Sequence, residues 1–116
     1  MRPRHAAALA LAGWYFIVPP LPGGIPDVQA PLSKWIRVRN LDTASDCEQV
    51  RLGTMLDAQK EVHKVEEKIA ALPDSGTRPL REVAPDVYKA DDEASRFAAT
   101  ALAAQCIATD DPRLAK

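Results

Sequence analysis

Cys47 and Cys106 are the only two cysteines in the chain, and they are the side chains most able to do covalent chemistry. Neither belongs to a C-x-x-C pair, so a redox-active dithiol is not indicated. A metal site would need two further ligands, and the two histidines, His5 and His63, lie far from both cysteines in sequence. A structural disulfide is the remaining chemistry, against two buried reduced thiols as its alternative. The expected site is therefore the Cys47–Cys106 bridge, with no catalytic, cofactor or metal residues. Other candidates have simpler readings. His63 lies between Val62 and Lys64 and reads as solvent-facing, with no nucleophile or orienting group spaced to make it a general base. Asp91-Asp92-Glu93 reads as a helix start, its charges opposing the positive end of the helix dipole. Asp110-Asp111 reads as a polar turn before Pro112. Neither has the spacing of a calcium loop. Lys34, Arg37 and Arg39 around Trp35 read as a solvated sheet face rather than a stacking surface for single-stranded nucleic acid.

The elements that must position the cysteines can be read around a breaker, Leu72-Pro73-Asp74-Ser75-Gly76. Before it, Thr43-Ala44-Ser45-Asp46 has the form of a capping box, with Asp42 as an alternative cap. The apolar positions that follow predict one long helix over about 43–72. From Ala58 onward its steps of four and three make a heptad seam through Val62, Val65, Ile69 and Leu72. Lys60, Lys64 and Lys68 then face water, and Gly53 marks a possible bend. After the breaker, Ala94, Phe97, Ala98, Ala101 and Leu102 form a stripe on a second helix over about 90–105. Folded back as a hairpin, the two helices bring the cysteines to the same end. Seam surface left uncovered by the second helix would suit a homodimer or a helical protein partner.

Three stretches read as strands. Trp14 to Val18 is a continuous run of β-formers closed by Pro19-Pro20, the pattern of a buried strand. Lys34 to Arg39 alternates, placing Ile36 and Val38 on one face and Arg37 and Arg39 on the other. Cys106 to Thr109 is a brief extended piece, placed to join the strand that ends near Arg39. The fold class is α+β, with a small two- or three-stranded antiparallel sheet packed on the helical hairpin. The expected core is Trp14, Phe16, Trp35, Ile36, Val38, Met55, Val62, Val65, Ile69 and Phe97. Residues 73–85, rich in proline, read as a mobile connector.

The 116 residues make at most one domain. Arg2, Arg4 and His5 precede Ala6 to Ala12, which reads as an export signal ending at a small-x-small site, Ala10-Leu11-Ala12. Residues 13–116 would then be the mature domain, periplasmic or extracellular. The alternatives are an uncleaved membrane anchor and a plain N-terminal helix. Loss of the two positive charges on Arg2 and Arg4 would take the formal net charge from −1 to −3. Neither value suits a nucleic-acid partner, and a membrane contact is expected only if the N-terminus stays uncleaved. About 100 residues, many of them alanine, bury only about two-thirds of their unfolded surface, so the core is thin and a crosslink matters.

Trp14-Tyr15 with Val18-Pro19-Pro20, then Pro31-Leu32-Ser33 with Trp35, then Asp42-Thr43-Ala44 with Cys47-Glu48, then Cys106-Ile107-Ala108-Thr109-Asp110-Asp111-Pro112-Arg113-Leu114, resemble a group of short, uncharacterised, secreted-type bacterial proteins. The resemblance covers both ends of the mature chain and leaves Lys60 to Tyr88 unmatched. It implies an export signal and two cysteines, and it supplies no activity. The leading functional expectation is a small secreted or periplasmic protein without enzymatic activity, held by one disulfide. The alternative is a cytosolic helical protein-interaction module.

Overall fold

The computed structural model describes residues 13–74 and 76–115. The expected export signal, residues 1–12, lies outside them. Three strands run as β1 (Trp14–Val18), β2 (Ile36–Leu41) and β3 (Gln105–Ala108). The helices are α1 (Ala44–Ala70), α2 (Leu80–Val83) and α3 (Pro85–Ala103), and short 3-10 turns occupy Pro22–Gly24, Leu32–Lys34 and Pro112–Ala115. The class is α+β, as the sequence predicts.

β1 is central. The sheet order is β2-β1-β3 with both pairings antiparallel. A strand made wholly of aromatic and β-branched residues has two apolar faces, and only the middle position lets both be covered. Successive side chains alternate between those faces. Phe16 and Val18 meet Cys47 and Ala104 on the helix side, while Ile17 meets Trp35 and Ile107 on the other. This arrangement corrects the expected pairing of the Cys106 stretch. β3 adds to β1, opposite Trp14 to Ile17, and does not touch the strand ending near Arg39.

The second sheet face is covered by Trp35, one of the expected core residues. Trp35 precedes β2, is 6% exposed, and donates its indole Nε1–H to the Ala30 carbonyl at 2.9 Å. Leu32, Ala30 and Leu114 pack around it. A buried indole needs a partner for its one donor, and the turn from Ala30 to Trp35 provides it.

β2 departs most from expectation. Phe16 opposes Arg39 and Ile17 opposes Arg37, so Val38 is the extra residue of a bulge. One inserted residue shifts the phase of the pleat. Directly opposed residues share a face, so Arg37 and Arg39 lie on opposite faces of the sheet instead of one. Ile36 and Val38, expected in the core, are 46% and 53% exposed. Only Leu41 of this strand packs into the helix-side cluster.

α1 starts as its sequence dictates. Thr43 Oγ1 accepts the Asp46 N–H at 3.0 Å, which satisfies one of the orphan donors of the first turn. The helix runs 27 residues, about 40 Å, continuously through Gly53. A Cβ at Gly53 would meet nothing within 4 Å. Gly53→Ala is therefore expected to stabilise the chain by about 1 kcal/mol through helix propensity, read as a higher urea midpoint at unchanged slope.

α3 packs antiparallel to α1. Ala58 and Met55 face Ala101 and Ala98, and farther along Val65 faces Ala94 and Phe97. Ala58, Val65, Ala94 and Ala101 are buried, whereas Lys60, Lys64 and Lys68 are exposed, as the heptad seam requires. Met55, Val62 and Phe97 are half-buried, and Ile69 is exposed near the far end of the arm. The helix begins at Pro85 and not near residue 90. Proline at the first helical position costs no hydrogen bond and presets φ. Asp91-Asp92-Glu93 thus lies mid-helix, correcting its reading as a helix start. Asp92 instead pairs with Arg96 at 2.9 Å, one turn on.

Arg96 also ties α3 to the β1–β2 connection, donating from Nη1 to the Gly23 carbonyl at 3.0 Å. Gly24, with φ of +82°, sits so close under that guanidinium that a Cβ would collide with it. Backbone in this region favours glycine, and the close approach requires it.

Candidate functional site

Cys47 and Cys106 are joined in a disulfide, with Cα atoms 6.0 Å apart across a sequence separation of 59. The Thr43 cap sets the first turn of α1 so that Cys47 points into the sheet, where it is fully buried. Cys106 lies in β3 opposite Phe16, half-buried beside it. The bridge therefore staples the start of α1 to the strand following α3, directly beneath β1. Its loop contains α2, α3 and all of α1 beyond its first turn. Attack by an external thiolate needs access to a sulfur, and at Cys47 the packing of Phe16, Val18 and Ala104 denies it. This geometry makes the bridge a structural clamp.

The other sequence candidates fall apart from it and from one another. His63 Nε2 lies 3.0 Å from Glu67 Oε1 on the exposed side of α1. Both side chains are solvated, which makes this a surface pair along one helix. Asp111 accepts from the backbone N–H, Nε and Nη2 of Arg113 at 2.9, 3.1 and 2.9 Å. The side-chain bonds from Arg113, and then its backbone bond, hold the Asp111 carboxyl below the usual carboxylate range. Asp111 is thereby engaged in closing the C-terminal turn. Among the described residues, no three of His, Cys, Asp and Glu come together as a metal-ligand set.

Two surfaces stand out. On one side of the helical arm, Met55, Val62, Ala98 and Leu102 line an apolar groove of about 500 Å³, with Leu102 on its rim 71% exposed. Leu52 and Leu56 on α1 are also more than half exposed. The second surface is the outer edge of β2. There Arg37 stacks over the Tyr15 ring, 4.6 Å from its centroid, beside the exposed Ile36 and Val38. Lys34 lies in the turn before the strand and Arg39 one step along it. Alternation in sequence correctly identified a strand here, but it carries no information on which faces find a cover. The only available signal was the excess of cations without nearby acids. Among the described residues no helix is long and apolar enough to cross a membrane. Comparison with protein families, curated proteins and solved structures gives no match to this chain.

Proposed function

We propose that this chain is a small exported protein of the periplasm or extracellular space, with a non-enzymatic role carried by its surface. The observation that supports the reading most is the Cys47–Cys106 disulfide beneath the central strand, with Cys47 fully buried. Disulfides form and persist in oxidising compartments and are rare in the cytosol. The Arg-flanked, alanine-rich N-terminal sequence is consistent with export. So are the motifs at the two ends of the chain that resemble secreted-type bacterial proteins. The non-enzymatic part rests on how the candidate groups are engaged: His63 with Glu67, Asp92 with Arg96, and Asp111 with Arg113, each in a solvated pair.

The competing reading is a cytosolic interaction module whose two-helix arm meets another helix. The apolar groove along Met55, Val62 and Leu102 favours it. Intact mass of protein recovered from its native host separates the two. The exported protein is expected to start at Gly13 and to lack the two thiol hydrogens. A chain starting at Met1 or Arg2 with both thiols free would establish the cytosolic module.

A further inference from the structure

We propose that the free edge of β2 docks an extended acidic segment of another protein, which joins the sheet as a fourth strand. β2 ends the sheet order. Among the described residues, no backbone hydrogen bond outside the β1–β2 ladder involves Ile36–Leu41. Its outward N–H and C=O groups therefore meet only solvent, and such a row is a template for strand addition. The opposite edge is a poorer template. β3 has four residues against six in β2, and the disulfide tethers it to α1.

Side chains along the edge select the occupant. Lys34, Arg37 and Arg39 take part in no ion pair among the described residues, although the chain as a whole carries a net charge of −1. Arg37 is held in place by the Tyr15 ring, which orients a cation without neutralising it. Ile36 and Val38 alternate with these charges and are half exposed. An extended segment with acidic residues on both of its faces, flanked by β-branched residues, complements both features, because Arg37 and Arg39 lie on opposite faces of the sheet. Asp42 and Asp46 line a shallow pocket with Arg39 at the far end of β2, which confines the partner's acidic positions to the stretch from Lys34 to Arg39.

A second copy of this chain is the wrong occupant. Self-pairing would bring the cations of one edge against those of the other, with no acidic residue between Lys34 and Arg39 of either copy to offset them, and like charges across a ladder destabilise it. Single-stranded nucleic acid needs free ring faces on which bases stack. Here Trp35 is buried with its indole N–H bonded to Ala30, and Tyr15 is covered by Arg37.

The test uses the full disulfide-bonded chain and does not depend on its compartment. The probe is an acetylated, amidated heptapeptide of valine with two adjacent central glutamates, one on each face of the extended chain, titrated while backbone amide shifts are followed by NMR. Shifts are expected to centre on Ile36–Leu41 and the facing residues of β1. N-methylation of one alternate set of peptide amides abolishes binding, and methylation of the other set leaves it intact. Replacing glutamate by lysine in the probe, or Arg37→Glu with Arg39→Glu in the protein, weakens binding by about tenfold or more. Both arginines are exposed, and an unchanged circular dichroism spectrum confirms that the variant folds. The proposal is overturned by no binding at about 1 mM peptide. Equal effects of both N-methylated sets, shifts centred on Leu52, Leu56 and Leu102, or tighter binding of a thymidine decamer would overturn it as well.

Discussion

Replacing Cys47 and Cys106 together by alanine is expected to cost about 4 kcal/mol of stability, the loop-closure entropy for a separation of 59 residues. Few single changes in so small a domain reach that size. The loss follows from where the clamp sits. α1 and α3 carry much of their seam as alanine, with Ala58, Ala94 and Ala101 buried, and alanine contributes little apolar area. The large buried side chains gather instead around β1, and the bridge links that cluster to both helices. Since small domains are stable by only about 5–15 kcal/mol, the double variant should unfold at a much lower urea concentration with its fold class unchanged. A shift under about 0.5 kcal/mol would mean that packing alone holds the helices to the sheet.

Val65→Asp is expected to be nearly as damaging, at about 3 kcal/mol or more, because it buries an unpaired charge. Val65 is 5% exposed and faces Ala94 and Phe97 across the seam. Lys64 and Lys68 border the same groove but are exposed, so pairing with the buried carboxylate would require either ammonium to give up water. Lys64→Asp, one residue away, provides the contrast and should change stability by less than about 0.5 kcal/mol. Equal unfolding midpoints for the two aspartate variants would mean that the arm does not pack along this seam.

How much of this structure the sequence reveals depends on whether the determinant is local. The α1 cap needs only Thr43 and the next turn. β1 declares itself by five consecutive β-formers, and the disulfide by two cysteines that a helical hairpin brings to the same end. The seam shows in the spacing of Ala58, Val62 and Val65. Elements fixed by distant segments were not legible in this way. The pairing of β3 with β1 depends on which strand has two faces to cover. The bulge at Val38 resolves a mismatch between β2 and its neighbour. The exposure of Ile36 and Val38 follows from a helix layer that covers β1 and stops short of the edge. Trp35 belongs to the expected core, but the partners that cover it, Leu32 and Leu114, come from the loop before β2 and from the C-terminal turn and cannot be read from its own strand. The true start of α3 did have a local signal, Pro85 at the first helical position. Three consecutive acids farther on were a louder but misleading one.

The measurement that bears most directly on the clamp and its compartment is tryptic mapping, without reduction, of protein recovered from the native host. Cleavage leaves Cys47 in the peptide Asn40–Arg51 and Cys106 in Phe97–Arg113. The disulfide-clamped, exported protein predicts these two peptides joined as one species that separates on reduction, found in the periplasmic or extracellular fraction. Recovery of both peptides singly with free thiols, from material alkylated at harvest, would contradict it.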